Sequence, residues 1–128
     1  KINIGQLPLL SCDPSMIQQL FQNLIANAIK YARDDVHPII EIRYKVLEPD
    51  YLFEVIDNGI GFKESDIDLM FQPFQRLGGK NRNKPAGHGV GLSICRRVVE
   101  RHGGKIWAAS VPGEGATFTF TLPKTDEV

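Results

Sequence analysis

Asn23, Asn27 and Lys30 follow one another at spacings of four and three residues, and on an α-helix that spacing stacks side chains along one face. An amide oxygen is a hard ligand that suits Mg2+ held beside phosphate oxygens. A lysine ammonium one turn further on suits a phosphate oxygen, and Tyr31 follows directly. Polar amides at the border of an apolar stripe are costly unless they find partners. A solvated face explains any single asparagine equally well, but three such side chains in register favour a face turned to a ligand.

A second cluster, Asp57-Asn58-Gly59-Ile60-Gly61-Phe62, comes straight after a strand-like segment. An aspartate at a strand end can accept a hydrogen bond from an exocyclic amine such as adenine N6, and glycines let backbone approach a ligand with no Cβ in the way. The same letters also spell an ordinary aspartate-led turn. A third cluster, Gly87-His88-Gly89-Val90-Gly91-Leu92, opens a helix. The unpaired N–H groups and partial positive charge of a helix N-terminus favour phosphate. Two familiar phosphate motifs are excluded. Gly79-Lys80 is followed by Asn81 rather than a hydroxyl residue, and Leu92 stands where a dinucleotide fingerprint needs its third glycine.

The elements that must hold these clusters are legible in outline. Ile2 to Ile4 and Leu7 to Ser11 read as short strands. Asp13-Pro14 is a helix start, with a carboxylate able to cap and a proline at the first helical position. That helix is expected from about Pro14 to Ala32, with Ile17, Phe21, Leu24, Ile25, Ala28 and Ile29 inward. Ile39 to Leu47 and Tyr51 to Ile56 alternate around Glu48-Pro49-Asp50, a hairpin. A short helix follows over Glu64 to Met70. The Pro73 to His88 stretch has no apolar periodicity and is expected to be a functional loop. A helix from about Val90 to His102 turns Leu92, Cys95, Val98 and Val99 inward and stops at Gly103-Gly104. Strands Lys105 to Ala109 and Thr117 to Leu122 flank the turn at Pro112-Gly113-Glu114-Gly115. Together these make a two-layer α/β sandwich, a mixed and mostly antiparallel sheet on about three helices. There is no internal repeat.

With 128 residues and 42% apolar content, one domain with one core is expected. It covers 1–123, with 124–128 as a tail. Fifteen basic and fifteen acidic residues leave no net charge. That argues against a nucleic-acid or polybasic membrane binder, whose affinity comes from clustered cations. Cys12 and Cys95 have no metal-ligand spacing and read as reduced thiols of a cytoplasmic protein. No membrane-spanning run or signal peptide is expected, and the strand-like opening reads as a cut from something longer.

At this point the motifs resemble a family. Asn23-Leu-Ile-Ala-Asn27-Ala-Ile-Lys30-Tyr31 is similar to the N box of two-component sensor histidine kinases. Asp57-x-Gly59-x-Gly61 resembles their first glycine box, Phe71-Gln-Pro-Phe74 their F box, and Gly87-x-Gly89-x-Gly91-Leu92 their second glycine box. Gly113-Glu-Gly115-Ala-Thr117-Phe resembles the closing glycine–threonine strand turn. The motifs keep the family's order from about Ser11 to Pro123. Phe74-Gln-Arg-Leu77 and Arg101-His-Gly-Gly-Lys-Ile-Trp107 look most like kinases with PAS or phytochrome-type sensors.

The resemblance implies a Bergerat-type ATP-binding fold and a catalytic domain using ATP and Mg2+. Asn27 would coordinate Mg2+, Asn23 would support the phosphates, and Lys30 would reach toward the γ-phosphate. Tyr31 would line the adenine pocket beside Asp57, with Gly59 and Gly61 shaping it. Phe74 to His88 would form a lid over the nucleotide. Gly87, His88, Gly89, Val90, Gly91 and Leu92 would serve as hinge and phosphate cradle, and Thr117 would border the nucleotide from the last strand. Arg76, Lys80, Arg82 and Lys84 are lid candidates for phosphate contact, although each alone is better explained as a solvated surface charge.

The phosphoacceptor helix is missing. His37 precedes Pro38, His88 precedes Gly89 and His102 precedes Gly103, so none is followed by an acidic residue as the family's acceptor is. The implied partners are a separate dimerisation and phosphoacceptor domain of the same kinase, a response regulator downstream and a sensor domain upstream. No nucleic acid and no direct membrane contact are implied. Relatives with the same fold that hydrolyse ATP or phosphorylate serine carry a glutamate four residues before the metal asparagine. Here that place is Asn23, and an amide cannot act as a general base. A related ATPase, or a nucleotide sensor without chemistry, is the alternative.

Overall fold

Helix α1 forms over Pro14–Lys30, where leucine, isoleucine and alanine recur at helical spacing. A computed structural model describes residues 2–4, 14–72 and 91–124. Within these, β1 (Ile2–Ile4), α1, β2 (Ile40–Leu47), β3 (Asp50–Asp57), α2 (Glu64–Met70), α3 (Gly91–Arg101), β4 (Ile106–Val111) and β5 (Gly115–Pro123) follow in order. The expected strand over Leu7 to Ser11 and the Pro73 to His88 loop lie outside the described residues.

The strands make one five-stranded sheet in the order β1-β2-β3-β5-β4. Only β1 and β2 run parallel; every other neighbouring pair is antiparallel. The helices lie on one face, as a two-layer α/β sandwich requires. The β2–β3 hairpin keeps Ile42 opposite Val55 and Ile40 opposite Asp57, which brings the aspartate to the sheet end beside the close of α1.

The core sits between sheet and helices. Phe53 of β3 and Phe120 of β5 stack at 5.0 Å between centroids, and Phe21 of α1 meets both rings edge-on at 6.1 and 5.5 Å. Leu92, Cys95, Val98 and Val99 of α3 are buried, as their spacing requires. Burial pushes the Cys95 thiol up to about 12, and its Sγ donates to the Leu20 carbonyl at 3.7 Å. This thiol is therefore packing material rather than a nucleophile.

The structure moves several sequence boundaries. Helix α1 stops at Lys30 rather than Ala32. Its last turn tightens, with Ala32 N–H donating to Ile29, and the Tyr31 carbonyl is taken by Ile60 N–H at 2.9 Å instead of a helical partner. Along the same helix Leu20 is fully buried while Ile29 is 57% exposed. The buried line runs Leu20–Leu24–Ala28, and Ile29 lies about 100° past its end. The last hairpin is longer than its alternation indicates, because the ladder continues to Val111 opposite Gly115.

Candidate nucleotide site

Three segments meet where Asp57 ends β3: the close of α1, the loop Asp57 to Phe62, and the β4–β5 turn. Asp57 Oδ1 accepts from Gly59 N–H at 2.8 Å and from Ala116 N–H at 3.2 Å. Burial raises its pKa, and these two backbone donors pull it partly back. Both donors meet one oxygen, so the carboxylate is fixed in orientation before any ligand arrives.

The glycines around it answer to the chain's own backbone. A Cβ at Gly59 would lie 2.5 Å from the Tyr31 carbonyl oxygen. Gly61 has φ +69° and a Cβ there would run into the Val111 carbonyl. Each of these glycines makes room for another segment of this protein.

Tyr31 is half-buried at the same corner, its phenol pKa raised by burial. The Lys30 ammonium lies 5.4 Å from its ring centroid. Asn23 and Asn27 flank the buried line of α1, both partly buried. Asn23 Nδ2 is a buried donor with no hydrogen-bond partner among the described residues. A buried donor left unpaired is costly, and a phosphate oxygen has the chemistry to satisfy it. Among the described residues no group of three or more His, Cys, Asp or Glu could hold a metal ion.

Two sequence-expected residues are not brought to this corner. Thr117 lies opposite Ile56 and Ala109, whereas Ala116 lies opposite Asp57. Alternation along β5 then puts Thr117 on the other face of the sheet from Asp57. The Leu92 side chain is buried in the core, and at this position only backbone is available to a ligand. Gly91 is the first residue of α3. Phe74, Arg76, Gly87, His88, Gly89 and Val90 lie outside the described residues.

Three residues missed by sequence reasoning tie the corner together. Arg33 donates from Nε to the Asn58 carbonyl at 3.0 Å and from Nη1 to the Gly113 carbonyl at 2.8 Å. The Asn58 side chain accepts from Ile39 N–H at 2.8 Å and donates to the His37 carbonyl at 3.0 Å. The Ser110 hydroxyl accepts from Phe62 N–H at 2.9 Å and donates to the Gly115 carbonyl at 2.7 Å. Asn58 had a local signal, since asparagine in a turn bonds nearby backbone. Arg33 had none, because its partners are 25 and 80 residues away, and nothing local to Ser110 pointed to Phe62, 48 residues away.

The comparisons agree on the family. Residues 12–126 match the model described as histidine kinase-, DNA gyrase B-, and HSP90-like ATPase. Cyanobacterial phytochrome A of Nostoc sp. is 48% identical over 117 residues, 91% of this chain and 15% of that protein. Sensor histidine kinase WalK of Bacillus subtilis is 38% identical over 115 residues, 90% of this chain and 19% of that protein. The chain thus spans under a fifth of these relatives' length. The nucleotide-free catalytic domain of histidine kinase ThkA superposes with a TM-score of 0.76 at 29% identity, covering 98% of this chain and 79% of that one. On its motifs, its fold and these relatives, the chain belongs to the histidine kinase-, DNA gyrase B- and HSP90-like ATPase family, as an ATP-binding catalytic domain of the sensor histidine kinase kind.

Proposed function

We propose that the chain binds Mg-ATP and presents its γ-phosphate to a histidine on a separate dimerisation and phosphoacceptor domain, as one step of two-component signalling. The supporting observation is Asn23. It stands one helical turn before Asn27, offers a buried amide donor with no partner among the described residues, and lacks the basicity to deprotonate water. Such a site holds phosphate without promoting hydrolysis. Asn27 would supply an oxygen to Mg2+, which when bound neutralises phosphate charge. Asp57 would accept from adenine N6 through Oδ2, its other oxygen being engaged by backbone. Tyr31 would line the base, and Lys30 would reach the γ-phosphate. Phosphoryl transfer asks a protein mainly for such positioning.

The described histidines fit an acceptor located elsewhere. His37 is followed by Pro38 and His102 by Gly103 rather than by an acidic residue, and His102 Nδ1 lies 2.9 Å from the Val98 carbonyl at the end of α3. A sensor domain upstream and a response regulator downstream complete the proposal, with the kinase portion in the cytoplasm. Among the described residues no helix is long and apolar enough to cross a membrane. The domain would extend to Pro123, where β5 ends, with Lys124 to Val128 as a tail.

The deciding experiment supplies the chain with Mg-ATP and a separate helical domain bearing the cognate histidine. Acid-labile, base-stable phosphate should appear on that domain, with slow ATP hydrolysis and no self-labelling by the chain alone. Asn27→Ala should fold normally, because position 27 lies off the buried line, yet bind nucleotide at least about tenfold more weakly when Mg2+ is present. Rapid multiple turnover by the chain alone would overturn the reading in favour of an ATPase.

A further inference from the structure

We infer that Arg33 is a positioning residue for nucleotide recognition, a brace that fixes the Asp57 carboxylate against the β4–β5 turn; the inference rests on the reading of Asp57 as the adenine acceptor. Asn58, next to Asp57, has every polar group engaged. Its N–H donates to the Ile39 carbonyl at 3.3 Å, its side chain spans Ile39 and His37, and its carbonyl is taken by Arg33 Nε. Arg33 Nη1 reaches across to Gly113, whose own N–H donates to the Ile60 carbonyl at 2.6 Å. Ile60 N–H in turn donates to Tyr31, two residues before Arg33. The circuit closes: the segment just after α1, the Asp57 loop, the β4–β5 turn, and back to the segment after α1.

The chemistry singles out arginine. Its planar guanidinium carries N–H donors on Nε and Nη1 that point in different directions, so one side chain can meet two carbonyls from segments 25 and 80 residues away in sequence. A lysine ammonium can satisfy one of them with full geometry. Its ion pair with Asp35 is 3.9 Å long and Asp35 is 75% exposed, so that pair contributes little. Arg33 itself is only 29% exposed; its charge is directed at backbone oxygens. Both backbone donors to Asp57 sit on the braced segments, Gly59 in the loop and Ala116 directly after the turn. Releasing the brace loosens both at once, and with them the direction in which Asp57 offers its other oxygen.

The test uses the 128-residue chain and Arg33→Met, which keeps the apolar stem and removes the donors, with Arg33→Lys as the conservative variant. Amide exchange at Gly59 and Ala116 without nucleotide should be about tenfold faster in Arg33→Met. Calorimetric titration should show ATP bound about tenfold more weakly, with the ATP-over-GTP preference reduced, and Arg33→Lys should recover part of both. Unchanged exchange at Gly59 and Ala116 in Arg33→Met would overturn the inference while leaving the adenine reading intact. Equal weakening of ATP and GTP would also overturn it, as the mark of a merely structural residue. Wild-type chain that binds GTP as well as ATP would instead sink the adenine reading. Faster exchange in the variant would then still establish the brace.

Discussion

The glycines beside Asp57 and the glycine that opens α3 look alike as letters and differ in what surrounds them. At Gly59 and Gly61 the space of a side chain is already taken by the Tyr31 and Val111 carbonyls. At Gly91 an added Cβ meets no described atom within 4 Å. The first pair is therefore demanded by the fold itself, where three segments pass at backbone contact. Gly91 is free of that demand, and whatever requires glycine there is not the packing of the described chain. A glycine-rich motif can thus be a seam between segments or an opening for a ligand, and only the neighbouring atoms distinguish the two.

That contrast can be broken first at Gly61. Gly61→Ala puts a side chain on a left-handed backbone and against Val111, and should cost about 3 kcal/mol of stability, read by urea unfolding. A loss below about 1 kcal/mol would mean the seam is soft.

Asp57→Asn separates holding the seam from reading the ligand. The amide oxygen of the substituted side chain can still accept from Gly59 and Ala116, so the corner should stay folded. Its NH2 group would then face the adenine amine, donor against donor, and ATP affinity should fall by at least about a hundredfold. The sign of the pH effect follows from burial. The folded pKa is raised above the ordinary 3.8, so stability falls as pH rises from 3.8 through the raised value. Above that window the buried charge remains a cost. Asp57→Asn should therefore melt at or above the wild-type temperature at neutral pH, with the gap closing as pH drops below 3.8. A variant that melts lower at neutral pH would show that the charge itself is needed to bind the two N–H groups.

The smallest effect is expected at Gly91. Gly91→Ala should leave stability unchanged or raise it by up to ~1 kcal/mol, since alanine is the better helix former. Nucleotide titration of this folded variant then reports whether a ligand needs the space. A destabilised Gly91→Ala would erase the contrast between the two glycine regions.

By itself the sequence determined the motif order, the hairpins, the inward face of α3 and the strip Asn23–Asn27–Lys30, because these depend on periodicity and turn chemistry within a few residues. The tertiary structure decided what lies across those elements. The β3–β5 register sets Ala116 rather than Thr117 beside Asp57. The shape of the covering layer sets Leu20 inside and Ile29 outside. The meeting of three distant segments assigns Gly59 and Gly61 to the seam, and Arg33 and Ser110 to its hydrogen bonds. A one-residue change of register reverses which face a side chain occupies, and a carbonyl partner 80 residues away leaves no trace in local spacing. Such contacts exist only once the layers have packed.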